Sequence, residues 1–223
     1  MTPADITVVV PTLNEALCID DCLTAISDAG ATNIIVVDGG SQDDTVSIAE
    51  SFQAACVLSS QPGRGHQLAS GLAAANTDVV LFCHADNRLH PSCLRQICEL
   101  DDVTWGAFRQ SIGSSRSVFR WIEWGNAQRV RWRHCPFGDQ GIFANRQRLN
   151  QLGGIATMPL MEDVELSVRL RKHSRPVLLP GPIHVDARRW ESRGVVRQTL
   201  RNWRIQAGYR LGLSPERLAT WYR

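Results

Sequence analysis

In the first half of the chain, continuous apolar runs alternate with stretches whose apolar residues recur every three or four positions. Ile6-Thr7-Val8-Val9-Val10, Asn33-Ile34-Ile35-Val36-Val37-Asp38, Ala55-Cys56-Val57-Leu58 and Val79-Val80-Leu81-Phe82-Cys83 are runs of strand length, and their lack of alternation predicts strands buried on both faces. Pro11 is expected to end the first of them. Between the first two runs, Ala16, Ile19, Leu23 and Ile26 keep helical spacing, with Gly30 as the stop. Asp43 and Asp44 fall in the first turn of a second helix, where they complement its dipole, and Gln67 to Ala75 reads as a third. Strand and helix in alternation predict an α/β domain, a parallel sheet with helices on both faces.

The pattern loosens after that. Asp102 to Phe108 reads as a fifth strand. From Gly113 onward Trp121, Trp124 and Trp132 are interleaved with Arg116, Arg120, Arg129, Arg131 and Arg133. Two readings stand: a helix packing its tryptophans on the sheet with arginines outside, or a surface that meets an acceptor or a membrane headgroup layer. Phe137 to Phe143 reads as a polar step just before a short strand, Met161 to Lys172 forms a helix with Val164, Val168 and Arg171 on one side, and Val177–Leu179 and Ile183–Val185 are two short strands. Val196, Leu200, Trp203, Ala207 and Leu211 mark one amphipathic helix beside a stripe of Arg197, Arg201 and Arg204, and Ser214-Pro215-Glu216 opens a last short one. The stripe reads as core or as a peripheral membrane contact.

Composition narrows the class. The chain has 223 residues, 43% hydrophobic and 21% charged, enough for one α/β domain that needs no covalent staples. No apolar run reaches about 18 residues, and the first five lack the basic and apolar regions of a signal peptide, so the expected location is the cytoplasm. Seven cysteines without a CxxC pair read as reduced thiols. The net charge of +2 is unevenly spread: an acidic first hundred residues precede an arginine-rich remainder in which Lys172 is the single lysine. Arginine suits bidentate contacts with phosphate or carboxylate. No nucleic-acid-binding signature accompanies it, and nucleic acid is not an expected partner.

Candidate chemistry lies at the strand ends, where open α/β sheets bind ligands. Asp38 ends the second run and Asp86 follows the fourth. A carboxylate there suits a hard cation such as Mg²⁺ or Mn²⁺ completed by phosphate and water, though Asp86 also reads as a helix cap before His90-Pro91-Ser92. Gln61-Pro62-Gly63-Arg64-Gly65 leads into a helix whose first amides face an anion. It is neither a P-loop nor a dinucleotide fingerprint. Glu162 and Asp163 open a helix after a glycine-bearing loop, as caps or as a general base. His184 reads as a packed strand residue, a further metal ligand or a diphosphate contact.

Taken in order, Val8-Val9-Val10-Pro11-Thr12-Leu13-Asn14-Glu15, Val37-Asp38-Gly39-Gly40-Ser41, Gly63-Arg64-Gly65, His84-Ala85-Asp86 and Glu162-Asp163 resemble the family-2 glycosyltransferases over nearly the whole chain. With Gly138-Asp139-Gln140-Gly141 and Arg188-Arg189-Trp190-Glu191, the set is similar to a small bacterial subgroup associated with arsenosugar biosynthesis and with radical-SAM genes. The resemblance implies the GT-A fold: a single Rossmann-like, mostly parallel sheet with flanking helices and a C-terminal amphipathic helix. It implies a nucleotide-sugar-binding half at 1–110, an acceptor half at 111–190 and C-terminal helices at 191–223.

By position, it places Pro11, Thr12, Asn14, Glu15, Asp38, Arg64, Ala85 and Asp86 on the nucleotide sugar, with Asp86 and His184 on Mg²⁺ or Mn²⁺. Asp163 becomes the general base, and Asp139, Gln140 and Glu162 face the acceptor. His84 stands where the family's metal motif begins with aspartate. Gln198 to Trp203 carries one residue more than the Gln-x-x-Arg-Trp motif of processive members, and no membrane helix follows, so a single transfer is expected; the resemblance implies that the transfer inverts, from a nucleotide-diphosphate sugar to a small-molecule or lipid acceptor. A membrane contact would put the protein at the inner face of the membrane. The alternatives are a sugar-phosphate nucleotidyltransferase, whose glycine- and lysine-bearing N-terminal loop is missing, and a non-catalytic membrane-surface scaffold.

Overall fold

The computed structural model describes residues 1–53 and 55–222. In chain order the elements are β1 (Ile6–Thr12), α1 (Ile19–Asp28), β2 (Asn33–Asp38), α2 (Thr45–Ser51), β3 (Ala55–Ser59), α3 (Arg64–Ala74), β4 (Val79–Phe82), β5 (Asn87–Leu89), α4 (Cys93–Cys98), β6 (Trp105–Ile112), α5 (Ser117–Arg133), β7 (Ile142–Asn145), α6 (Arg146–Gln151), α7 (Glu162–Leu170), β8 (Val177–Val185), α8 (Arg188–Arg193), α9 (Val195–Arg210) and α10 (Pro215–Tyr222). All eight strands form one sheet in the order β3-β2-β1-β4-β7-β6-β8-β5. Pairings among β1, β2, β3 and β4 are parallel, as is β6 with β8, whereas β7 runs antiparallel to β4 and β6 and β5 antiparallel to β8.

Side chains alternate across β1 and bury on both faces. Val8 and Val10 join α1 and α4 through Leu23, Ile26, Leu94 and Ile97. Val9 joins α3, α6 and α7 through Leu68, Leu72, Leu149 and Leu166. Continuous apolar runs are what a sheet covered on both sides requires. At Gly71 a Cβ would lie 2.3 Å from Val9 Cγ1, so α3 packs on β1 as closely as it does because that position is glycine.

Several expectations are corrected. β1 continues through Pro11 to Thr12 rather than stopping at Pro11. Its pairing with β4 has ended at Val9↔Phe82, so proline's missing N–H costs no ladder bond on that side. The fifth run starts its strand at Trp105, not Asp102, and extends to Ile112, while β5 and α4 occupy the polar stretch after Asp86. The two short strands around Pro180-Gly181-Pro182 are one strand, β8, whose register with β6 shifts at an irregularity between Phe108 and Gln110. In α7 the inward residues are Leu166 and Leu170, while Val164 faces the C-terminal helices and Arg171 is exposed.

The tryptophans and the terminal stripe change places with the core. Trp121, Trp124 and Trp132 are exposed on α5, with Phe119, Ala127 and Val130 inward. Val196, Leu200, Trp203, Ala207 and Leu211 are likewise exposed, and α9 buries Val195, Gln198, Ile205 and Gly208 instead. Gly194, at φ +82°, separates α8 from α9. Ile205 and Leu218 of α10 then cover Leu160 and Met161 at the start of α7. The seven cysteines are unpaired thiols. Among the described residues no helix is long and apolar enough to cross a membrane.

Candidate active site

The strand-tip carboxylates reach one edge because β1, β2 and β4 are parallel neighbours. Asp38 is buried at the end of β2 and organises the turn after it. Its Oδ2 accepts from Gly40 N (2.8 Å) and Ser41 N (2.9 Å), and its Oδ1 from Ser41 Oγ (2.5 Å). Thr12 is buried and donates to Val37 O and Asp38 Oδ1 at 3.4 Å. Asn14, in the left-handed region at φ +56°, ties the two loops together: its N–H donates to Ser41 Oγ (2.9 Å) and its Oδ1 accepts from Gln42 N (2.8 Å). Glu15 N donates to Thr45 Oγ1 at 2.8 Å. Pro11 and Ala85 contribute buried backbone at this edge.

Beside that edge lies a cavity of about 160 Å³ whose wall includes Arg64, His84, Asp86, Asp139, Asp163 and Asp186. Asp163 stands in the first turn of α7. Both its oxygens accept backbone amides, Oδ2 from Gly138 (2.8 Å) and Oδ1 from Val164 (2.7 Å), so its orientation is set before anything binds. A Cβ on Gly138 would lie 2.7 Å from His84 Nε2 and 3.5 Å from Asp163 Oδ2. Glycine there lets the chain pass between the two side chains.

Asp139 lines the same cavity, with no hydrogen-bond partner on its Oδ1. Burial pushes its carboxyl above the ordinary range, against the pull of Arg129. Arg129 itself is locked: it donates to Cys135 O (3.1 Å), Asn126 Oδ1 (3.0 Å) and Gln140 Oε1 (2.5 Å), and its guanidinium carbon lies 3.4 Å from the Phe137 ring centroid.

Three residues expected at the site lie outside the cavity wall. Glu162 is buried against Arg64 in an ion pair and is not among the cavity residues; its role is to hold Arg64, which is. Burial pushes the Glu162 carboxyl up, opposed by Arg64. Gln140 is fully buried, bracing Arg129, Phe137 N and Phe108 O. His184 pairs across the sheet with Arg88, and its ring centroid is 6.4 Å from that of His90. Strand alternation therefore puts it on the face opposite Val185, which lines the cavity, and away from Asp86.

Other residues take part that the sequence reading passed over. Asp186 follows β8 directly and is ion-paired with Arg188 at 2.6 Å; the strand-tip rule that found Asp38 and Asp86 would have found it too. Gln198, Asn202 and Gln206 form a polar row at four-residue spacing on the cavity side of α9, with Gln198 Nε2 donating to Asn202 Oδ1 at 3.0 Å. The cavity thus draws on the first 110 residues, on 111–190 and on the terminal helices together.

Among the described residues no three His, Cys, Asp or Glu side chains form a ready-made metal cluster. The donor chemistry fits a hard cation all the same. Asp86 offers a part-buried carboxylate with Asp186 beside the same cavity, and phosphate and water oxygens complete such a shell.

The model of the family described as Glycosyl transferase family 2 matches residues 7–151. An uncharacterized glycosyltransferase of Mycobacterium tuberculosis is 35% identical over 112 residues, 48% of this chain and 50% of that protein. Glycosyltransferase AglJ of Haloferax volcanii is 41% identical over 64 residues, 29% of this chain and 21% of its own length. The matches thus span half or less of these curated relatives. Among solved structures, S. aureus TarS 1–349 superposes with a TM-score of 0.65 at 17% identity, covering 84% of this chain and 61% of that one. The glucosyl-3-phosphoglycerate synthase of Mycobacterium tuberculosis, in complex with Mg²⁺ and UDP, gives 0.59 at 21% identity, covering 81% and 69%. These likenesses establish a shared fold.

Proposed function

The chain belongs to glycosyltransferase family 2, and from that premise we propose that it transfers one sugar, with inversion, from a nucleoside-diphosphate sugar to an acceptor hydroxyl. One observation carries the reading: Asp163, fixed by two backbone amides, opens onto the cavity that Asp86 and Arg64 also line. A base, a phosphate-binding cation and a metal-ligating carboxylate on one small cavity are the parts a displacement at the anomeric carbon needs.

Asp163 takes the proton of the acceptor hydroxyl as its oxygen bonds to the anomeric carbon. The bond from that carbon to the diphosphate oxygen breaks on the opposite side, and the nucleoside diphosphate departs with the electron pair. Arg64, steadied by Glu162, meets the diphosphate. The loops after β1 and β2, with Pro11, Thr12, Asn14, Glu15 and Asp38, hold the nucleoside, and Ala85 lets it approach β4. Asp86 would hold Mg²⁺ or Mn²⁺, which supplies charge neutralisation at the leaving diphosphate. Asp139, whose Oδ1 has no internal partner, faces the acceptor.

One of the similar solved structures holds UDP with Mg²⁺ and another holds UDP-GlcNAc, so UDP-sugars are the first donors to test. The experiment is a melting-temperature screen of UDP-, GDP- and dTDP-sugars with and without Mn²⁺, followed by NMR of the product anomer. A Mn²⁺-dependent shift with one nucleotide and an inverted product are expected. Retained configuration would overturn the displacement, and a metal-independent shift would remove the cation.

A further inference from the structure

The surface beside the cavity gathers exposed apolar side chains from two helices. Trp121 (72% exposed) and Trp132 (80%) on α5 face Leu200 (56%) and Trp203 (65%) on α9, and the groove between them encloses about 740 Å³. That volume lies in the range of small-molecule pockets, roughly 300–1,000 Å³. Soluble monomers rarely leave such a patch in water. The groove does not end blindly. Phe137, Asp139, Trp190, Asn202 and Gln206 line both it and the catalytic cavity, so anything lying in the groove presents one end to Asp163.

The two helices that form it are basic, and Asp139 is the one acidic side chain among the groove's described lining residues. The sequence of α9 contains Arg197, Arg201, Arg204 and Arg210 and no acidic residue. On α5 the single acid, Glu123, is already bound to Arg120 at 2.8 Å and to Ile112 N, while Arg131 and Arg133 are exposed. Tryptophans between arginines suit the boundary between anionic headgroups and acyl chains: indole rings favour that depth and guanidinium groups meet the lipid charge.

We propose that this groove takes the hydrocarbon chain of a lipid acceptor drawn from an anionic bilayer, with α5 and α9 resting on the membrane surface. The inference rests on the transferase reading of the cavity and names its acceptor class. The chain lies along Trp121, Leu200 and Trp203, and the lipid's hydroxyl-bearing head passes Asn202 and Asp139 to reach Asp163.

The test uses the full chain with vesicles of phosphatidylcholine alone or mixed with phosphatidylglycerol, the acyl chains brominated or not. Co-sedimentation should need phosphatidylglycerol and weaken with added salt, and bromine in the acyl chains should quench tryptophan fluorescence. The double variant Trp121→Ser/Leu200→Ser alters only exposed positions. It should keep its circular-dichroism melt and its donor-induced melting shift while losing about tenfold or more in vesicle affinity. Equal binding by the variant, no binding by the wild type, or no quenching by bromine overturns the proposal. A wild-type dimer in sedimentation velocity that the variant disperses assigns the face to a second copy instead. A wild type that binds the vesicles but shows no melting shift with any donor would count against the transferase reading and leave the membrane contact standing.

Discussion

The backbone N–H of Gly138 donates to Asp163 Oδ2 over 2.8 Å, and the same glycine lies where a Cβ would come within 2.7 Å of His84 Nε2. One residue therefore both orients the carboxylate and fixes its spacing from β4. Gly138→Ala must push His84 or the Gly138 loop aside and shift the donor of that hydrogen bond. Misplacing a reacting group by about 1 Å costs on the order of a hundredfold. A fall in kcat of that order is expected, with the donor-induced melting shift retained; an unchanged kcat would show that the bond does not position the base.

Asp163→Asn keeps the shape and one amide-accepting oxygen but removes the proton acceptor. General-base catalysis contributes about 10²–10⁴-fold, so kcat should drop by that factor while donor binding persists. Steady-state kinetics beside donor titration checks it. A near-normal rate would move the base to Asp139, a carboxylate of the same cavity whose Oδ1 has no partner.

The carboxylate-bearing edge was legible in the sequence because buried parallel strands announce themselves: continuous apolar runs ending in Asp38, or just before Asp86, carry both the fold and the carboxylates. The far side was not. The stripe from Val196 to Leu211 has faultless helical spacing yet points outward, and Gln198 goes in. Periodicity shows that a helix has two faces without showing which one meets protein. The placement of His184 was hidden for a similar reason: its residue type suited a ligand or a packed strand position, and its pairing with Arg88 is a property of the sheet. Glu162 and Asp163 are adjacent and chemically alike, and only the long-range contact with Arg64 separates their roles.

That contact is asymmetric. Glu162 is 1% exposed and its Oε2 has no partner, whereas the Arg64 side chain is 27% exposed. Arg64→Met strands a buried carboxylate and should cost about 3–5 kcal/mol by urea unfolding. Glu162→Gln leaves an arginine that can turn to water, so it should cost less stability and appear mainly as weaker donor binding. Equal losses from both would mean that Arg64 has no role beyond the pair.

Asp86→Ala tests the cation. A ligand at a hundred times its Kd stabilises the folded state by about 2.7 kcal/mol, and the part of that gain that needs Mn²⁺ should vanish in the variant. An undiminished Mn²⁺-dependent shift would send the ion to Asp186, on the same cavity.

Asp139 offers a test by pH. Burial raises its folded-state pKa, with Arg129 opposing. Below the unfolded value of about 3.9 the group is protonated in both states and contributes nothing. As pH rises through the interval up to the folded pKa, the unfolded chain ionises first, so the native state loses stability and the loss stays in place above it. Asp139→Asn removes that penalty. Its melting temperature relative to wild type should therefore be higher near neutral pH than near about pH 4, and thermal melts across that window read the difference. Parallel curves would show that Arg129 fully compensates the buried charge. The same variant should lower turnover, because Asp139 lines both the cavity and the apolar groove at their junction. A residue whose removal stabilises the fold and slows the reaction is one kept for what it binds.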